Sequence, residues 1–227
     1  MGIIRNIVKL FHSPSLWEGL GVCFLLLTLS CSKEEEEAGE WDNWQQRNEA
    51  YFQTIVDCYR TNSAPSLAPQ GIGWKRLKVF SKDETTEGDP TDYVYAYVIE
   101  EGTGTESPAY TDSVRVAYRG RIIPSDTYPE GFVFDSTVYG DFELATSYTA
   151  KMLVSANIDG FCTALQYMHR GDRWRIYIPQ QLGYGAEENY KNNVLIIPSY
   201  SVLIFDLQLV DFSPAGETMP AWSAREK

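Results

Sequence analysis

Short stretches of alternating apolar and polar residues recur along the second half of the chain. In residues 201–210, Leu203, Phe205, Leu207 and Leu209 share one face, and Asp206 lies on the other. Alternation with a period of two residues is typical of a strand that is buried on one side. The pattern therefore predicts strands in six stretches: residues 74–80, 93–99, 113–123, 131–137, 173–179 and 201–210.

Two stretches have helical spacing instead. Residues 158–168 carry an apolar stripe, Asn157 is a candidate N-cap, and Gly171 follows the end. Many strands with one short, one-faced helix predict an α+β domain, in which an antiparallel sheet curls over that helix. Residues 41–59 form a longer amphipathic pattern, which either packs on its own domain or serves as a spacer or homodimerisation helix. A linker with two prolines and two glycines, residues 62–73, ends it.

The N-terminal residues resemble a bacterial lipoprotein signal. Arg5 and Lys9 precede an apolar run, residues 20–30, that is short for a membrane span, and Cys31 follows directly. The resemblance implies that Cys31 is lipidated and anchors the chain to a membrane. The acidic run at 32–37 is similar to the export signal of Bacteroidetes-type surface lipoproteins. We therefore expect a lipid anchor in the outer membrane of the cell envelope, with surface exposure, and an uncleaved amphipathic anchor is the alternative.

Composition narrows the function classes. The chain is 44% hydrophobic and 14% aromatic, enough for a sizeable core, and its net charge is −12. So acidic a chain is repelled by phosphate backbones, which argues against nucleic acid as a partner. Outside the signal and the anchor only Cys58 and Cys162 remain. A disulfide between them in an oxidising compartment is one alternative; we expect free, largely buried thiols.

The usual catalytic apparatus is missing. His169 is the only histidine after the predicted signal, so a histidine metal cluster is excluded, and its position after a helix does not favour a catalytic triad. No glycine-rich phosphate loop and no nucleophile elbow occurs. Asp135 and Asp206 are an imaginable glycosidase pair, but the sequence does not give their separation. We expect no metal and no cofactor.

Several motifs in order resemble the FKBP family of peptidyl-prolyl isomerases. They are "VRVAYRGRI", "FVFDST", "IDGFCTALQYMHRGDRWRIYIPQQLGYG" and "LIIPSYSVLIFDLQLVDF". The resemblance implies an antiparallel half-barrel of about five strands around one short helix, with the 41–59 helix as an N-terminal extension. It gives this division of the chain: signal, 1–30; lipidated cysteine and acidic tether, 31–40; helix, linker and extra strand, 41–92; FKBP-like domain, 93–212; tail, 213–227.

The resemblance also assigns roles within a proline-binding pocket. It implies that Tyr118 is a pocket tyrosine, Phe134 an aromatic wall and Asp135 a buried carboxylate. The Ile158 N–H would hold the ligand carbonyl, and Phe161 would form an aromatic floor. Tyr184 would supply a hydroxyl at the rim, and Phe205 an inner wall. Ile196 and Ile197 match a rim loop fixed by Pro198, and Phe142 is a candidate for a further wall.

The implied function is catalysis of X–Pro rotation during extracytoplasmic folding of proline-containing client proteins. Three departures favour an alternative, a weakly catalytic module that binds proline-containing segments or a partner protein. Phe161 replaces a tryptophan, Asn157 replaces an aliphatic residue, and no arginine lies between Asp135 and Lys151. The segments 119–133, 140–157 and 185–195 are also longer than in minimal members of the family. A weaker third alternative is a general chaperone that uses the 41–59 helix as a clamp.

Overall fold

The computed structural model describes residues 39–83 and 85–221. The predicted signal at 1–30 and the lipidated Cys31 lie outside the described residues. Within the described part of the chain, no helix combines the length and the apolar character that a membrane span needs.

An antiparallel sheet of seven strands dominates the fold. Its strands are β1 (Gly73–Lys78), β2 (Tyr93–Glu100), β3 (Ser113–Arg121), β4 (Val133–Ser136), β5 (Ala150–Leu153), β6 (Arg173–Ile178) and β9 (Leu203–Ser213). Their order in the sheet is β1-β2-β6-β9-β3-β4, with β5 also paired to β3. The predicted α+β class is confirmed, and the sheet is larger than the five strands expected. β1 extends one edge, and β5 pairs with the first half of β3 while β4 pairs with the second half.

Strand register gives the sheet two chemically different faces. Tyr118 on β3 lies opposite Leu207 on β9, and Gly120 lies opposite Phe205. These residues alternate with a polar set on the other face, where Asp206 pairs in register with Arg119 on one side and Arg175 on the other. The predicted division of residues 201–210 into an apolar and a polar face is therefore confirmed.

Helix α2 (Asp159–Tyr167) packs on the apolar face of the sheet. Phe161, Cys162 and Leu165 are buried on it, as the apolar stripe predicts. Gly160 allows the close approach, because a Cβ at that position would lie 2.3 Å from Cγ2 of Ile178 on β6. The N-cap is Ile158 and not Asn157; the Asn157 amide instead donates to the carbonyl oxygens of Leu153 and Val154.

Helix α1 (Trp44–Thr61) packs on its own domain, the first of the two alternatives considered. Its buried side contacts β1 and β2. Two polar contacts fix it to the segment before β9: the Trp44 indole donates to Ser201 Oγ at 2.8 Å, and the Val202 N–H donates to Asn48 Oδ1 at 2.7 Å. A homodimer through residues 41–59 would have to use the exposed side of this helix.

A separate two-stranded hairpin precedes the segment that leads to β9. It consists of β7 (Asn189–Lys191) and β8 (Val194–Ile197). Asn192 and Asn193 connect the strands in left-handed conformations, with φ of 52° and 62°, which asparagine tolerates better than most residues. The predicted rim loop is thus largely a hairpin.

Both cysteines of the described region are free: Cys58 is half-buried and Cys162 is buried. This agrees with the expectation of free thiols.

Candidate active site

A cavity of about 320 Å³ opens between the N-terminus of α2 and strands β3, β4 and β9. All seven residues predicted to form the pocket line it: Tyr118, Phe134, Asp135, Ile158, Phe161, Tyr184 and Phe205. They come from five separate parts of the chain, so the sheet and the helix together create the site.

Phe205 is the centre of the aromatic lining. Its ring centroid lies 5.0 Å from that of Phe161, 5.5 Å from that of Phe134 and 6.2 Å from that of Tyr118. The first two pairs meet edge to face, the arrangement that ring quadrupoles favour. The rings therefore hold each other in place and form a continuous apolar surface.

Gly120 makes room for this cluster. A Cβ at Gly120 would lie 2.6 Å from Cε1 of Phe205 and 2.7 Å from Cε2 and Cζ of Phe134. Because carbon atoms do not approach so closely, only glycine leaves both rings in their positions. The sequence did not single out Gly120. Its role follows from the strand register, which places it opposite Phe205 in the structure.

Tyr118 and Asp135 form the polar element of the wall. The Tyr118 hydroxyl donates to Asp135 Oδ2 at 2.6 Å, and the Ser136 N–H donates to Asp135 Oδ1 at 3.0 Å. Burial, and then the hydrogen bond to the carboxylate, raises the pKa of Tyr118, so the hydroxyl stays protonated at neutral pH.

Asp135 differs from the buried carboxylate that the resemblance implies, because it is exposed. It also forms none of the ion pairs found among the described residues. The missing local arginine is therefore not replaced by a distant one in the described region, and a tyrosine hydroxyl and a backbone amide bind the carboxylate instead.

Ile158 lies where α2 begins. Its backbone is extended, and its carbonyl oxygen accepts hydrogen bonds from the N–H groups of Phe161 and Cys162, both at 3.0 Å. The N–H groups at the start of a helix have no acceptor within the helix, so this corner of the cavity suits a ligand carbonyl. The Cys162 thiol lies 2.9 Å from the Val154 carbonyl oxygen and 3.2 Å from that of Asn157, which fixes the turn that precedes the helix.

Tyr184 stands at the cavity mouth, after a short turn at Gln180–Leu182. Burial, and then the negative charge of Asp135, raises the pKa of Tyr184, so its hydroxyl remains a donor at neutral pH. A shallower depression shares Phe134, Asp135 and Tyr184 with the cavity and extends it towards Ile196, Ile197 and the β7–β8 hairpin. Both isoleucines therefore lie beside the mouth, Ile197 with its side chain buried.

Phe142 is not part of the site, and its prediction as a wall residue is wrong. It lines a different depression with Arg119, Arg121 and Asp206. There the Arg173 guanidinium lies 4.3 Å from the centroid of the Phe142 ring, a cation–π contact. The segment around Phe142 carries no periodic pattern, so its register could not be predicted.

Sequence reasoning missed two further lining residues, Met152 and Ala156. Met152 belongs to β5, which is only four residues long. A strand of this length has only two residues on each face, and no family motif covers it, as "FVFDST" covers the equally short β4.

The arrangement can bind an apolar ring and hydrogen-bond the groups beside it. Among the described residues there is no group of three or more histidine, cysteine, aspartate or glutamate side chains that would hold a metal ion. The cavity offers aromatic surfaces, a tyrosine hydroxyl and the N-terminus of a helix.

Comparisons with known proteins agree with this geometry. The family model for FKBP-type peptidyl-prolyl cis-trans isomerases matches residues 104–210, which include every residue that lines the cavity. The chain is 34% identical to the macrophage infectivity potentiator of Trypanosoma cruzi over 208 residues, 91% of this chain and 89% of that protein.

Two bacterial relatives are matched over less of their length. The FKBP-type 22 kDa peptidyl-prolyl cis-trans isomerase of Escherichia coli K12 is 32% identical over 156 residues, 69% of this chain and 66% of that protein. The outer membrane protein MIP of Legionella longbeachae is 36% identical over 88 residues, 39% of this chain and 32% of that protein. The chain belongs to the FKBP-type peptidyl-prolyl cis-trans isomerase family.

Proposed function

We propose that the cavity catalyses cis–trans rotation about X–Pro bonds by binding the twisted amide more tightly than the planar one. The observation that carries this proposal is the continuous aromatic lining around Phe205, open to solvent beside Tyr184. Amide resonance gives rotation a barrier of about 18–20 kcal/mol. For X–Pro bonds both isomers are accessible, but they exchange in tens to hundreds of seconds, slowly enough to limit folding.

The apolar lining weakens the resonance of the substrate's X–Pro amide bond. The planar amide has a charge-separated form that water stabilises, and the twisted transition state has less of this character. Moving the bond from water to an aromatic surface therefore costs the planar state more than the twisted state. A thousandfold acceleration requires only about 4 kcal/mol of such preference.

The polar groups orient the substrate, and none of them exchanges a proton with it. The prolyl ring packs on Phe161 and Phe205, the Ile158 N–H binds a substrate carbonyl, and the Tyr184 hydroxyl donates to a second carbonyl. Tyr118 is held by Asp135 and keeps the wall beside Phe161 in place, with ring centroids 6.0 Å apart. Tyrosine hydroxyls are neutral through the physiological range, and burial raises the pKa values of Tyr118 and Tyr184 further, which extends the neutral state to alkaline pH.

A protease-free assay of proline isomerisation in a chromogenic peptide tests the proposal. We expect the full-length chain, purified in a non-ionic detergent, to accelerate exchange, and Tyr184→Phe and Asp135→Leu to lower kcat/KM. Tyr148→Phe, at an exposed ring away from the cavity, is the control. A folded protein that gives no acceleration over buffer contradicts the proposal.

One observation favours the second candidate, a module that binds proline-containing segments with little catalysis: the Asp135 carboxylate is exposed and forms no ion pair among the described residues. Such a module would bind a proline peptide in a fluorescence titration and give no rate enhancement. The two measurements on one preparation separate the candidates.

We also propose that the chain works in the cell envelope, anchored through lipid on Cys31. The N-terminal motif supports this, and one relative is an outer membrane protein by name. Metabolic labelling with a radioactive fatty acid, followed by membrane fractionation, tests the anchor. We expect wild type to be labelled and Cys31→Ser to be unlabelled and released from the membrane, with Cys58→Ser as the matched control. Label on Cys31→Ser overturns the anchor.

A further inference from the structure

The face of the sheet that lies opposite the aromatic cavity carries a second depression, of about 240 Å³. The alternation that turns Tyr118 and Phe205 towards the cavity turns Arg119, Arg175 and Asp206 away from it. Four arginines line the second depression: Arg119, Arg121, Arg173 and Arg175. Such a concentration is unexpected in a chain whose net charge is −12.

The carboxylates nearby differ in how strongly they hold these arginines. Asp206, Glu130 and Asp141 are the acidic residues of the lining. Asp206 is bound by Arg175 through two hydrogen bonds, at 2.6 and 2.8 Å, and lies 3.7 Å from Arg121. The Glu130 side chain is 82% exposed and 3.8 Å from Arg121, so water screens that pair strongly.

Arg121 has donor capacity that the described residues do not use. Its side chain is only 9% exposed; Nη1 donates to the Glu130 carbonyl oxygen at 3.0 Å, and Nε has no hydrogen-bond partner among the described residues. Burial lowers the pKa of Arg121, and the like charges of Arg175 and Arg119 add to this effect against the opposite influence of Asp206. Buried donors are normally satisfied, so an unpartnered guanidinium nitrogen in a lined depression indicates a missing acceptor.

Arg173 also lines the depression, and its buried Nε has no hydrogen-bond partner among the described residues. One of its terminal nitrogens binds Glu100 at 3.2 Å, and the guanidinium carbon lies 4.3 Å from the centroid of the Phe142 ring. This cation–π contact helps to hold the guanidinium in place. A planar fork of donors matches the geometry of carboxylate and phosphate oxygens.

We propose that this depression binds a small oxyanion, the phosphate or carboxylate group of a ligand, among its four arginines. The volume admits one such group with a small substituent. The site is separate from the prolyl cavity and does not depend on the proposed isomerisation, because the two lie on opposite faces of the sheet.

Calorimetric titration of the full-length chain tests the proposal, with inorganic phosphate in one arm and succinate in the other. Both arms are run against sodium chloride of equal ionic strength, because general screening acts on every exposed charge. Arg173→Gln removes one side of the site. Arg170→Gln is the matched control, since Arg170 also pairs with a carboxylate, that of Asp211, and stacks on a ring, that of Phe212 at 4.5 Å, but lies outside the depression.

We expect saturable binding of one or both anions by wild type and by Arg170→Gln. Loss of a charge-assisted hydrogen bond should weaken binding by Arg173→Gln about tenfold. Arg119→Gln provides a second variant if Arg173→Gln does not fold, as judged by circular dichroism. Binding by phosphate alone or succinate alone identifies the preferred group. No heat beyond the chloride control, or equal weakening in Arg170→Gln, overturns the proposal.

Discussion

The hydroxyl of Tyr118 and the carboxylate of Asp135 are joined by a 2.6 Å hydrogen bond between neighbouring strands, at the wall of the prolyl cavity. Tyr118→Phe keeps the ring and removes this bond. We expect kcat/KM to fall severalfold because the ring is no longer fixed. The free energy of unfolding should fall by only about 1 kcal/mol, since the acceptor is exposed to water. Isomerisation kinetics and urea unfolding measure the two effects; an unchanged kcat/KM would contradict the positioning role.

Substitutions at Phe205 and Phe212 separate the effect of the aromatic lining on activity from the effect of lost burial on stability. Both lie on β9, and they are 6% and 7% exposed. Each change to leucine should cost about 1–2 kcal/mol of stability through lost packing. Only Phe205→Leu should lower kcat/KM, by about tenfold or more, because only Phe205 contacts the cavity rings. Equal activity in the two variants would argue against the aromatic cavity as the catalytic site.

Gly120→Ala should displace two of the aromatic rings that line the cavity. The added Cβ requires Phe134 and Phe205 to move, because it would lie 2.6–2.7 Å from their ring atoms. Overpacking of this kind costs about 1–3 kcal/mol. We expect a lower melting temperature together with a higher KM for a proline peptide. An unchanged KM would show that the ring positions are not critical for binding.

The buried ion pair on the opposite face should be costly to break. Arg175 and Asp206 have side chains only 7% and 5% exposed. Asp206→Asn leaves Arg175 without a counter-charge and Arg121 with only the exposed Glu130, and we expect a loss of about 3–5 kcal/mol in urea unfolding. Asp211→Asn, on the same strand, breaks the more exposed pair with Arg170 and should cost less than about 1 kcal/mol. Similar losses in both variants would contradict this prediction.

Alkaline pH should destabilise the fold through buried tyrosines. Burial raises the pKa of Tyr51 to about 12, above the value of about 10 in an unfolded chain. The folded state therefore keeps a proton that the unfolded state loses, so this contribution is complete below pH 10 and is lost as the pH rises towards 12. Tyr51→Phe should reduce the slope of unfolding free energy against pH in that range by at most about 1.4 kcal/mol per pH unit. Tyr139→Phe, at an exposed ring, is the control, and equal slopes in wild type and Tyr51→Phe would refute the prediction.

The sequence predicted those parts of the fold where a period was long enough to detect. Alternation located β2, β3 and β9, and three- and four-residue steps located α1 and α2 to within a few residues. β5 and the β7–β8 hairpin were missed; their strands have four residues or fewer, and β4, which is equally short, was located only through the stretch "GFVFDST" around it. The N-cap of α2 was predicted wrongly, because the Asn157 side chain binds carbonyl oxygens of the preceding turn, which no spacing rule reveals.

The site residues were predicted from the resemblance to the FKBP family, and the error arose between its motifs. Phe134 and Phe205 lie within matching motifs, whereas Phe142 lies in a segment that no motif covers. Exposure of Asp135 also could not be deduced, since it depends on what the loops around the cavity cover. The absence of an arginine near Asp135 was visible in the sequence, and its replacement by the Tyr118 hydroxyl was not.

The anchoring of α1 to Ser201 and Val202 affects how this protein can be divided for experiments. The segment that matches the family, 104–210, omits this helix and both strands at one edge of the sheet. A recombinant fragment cut to that segment would leave β6 with an open edge and would remove the contacts that hold the start of the strand carrying Phe205. Domain swaps or fusion proteins should therefore retain the chain from residue 39 onward.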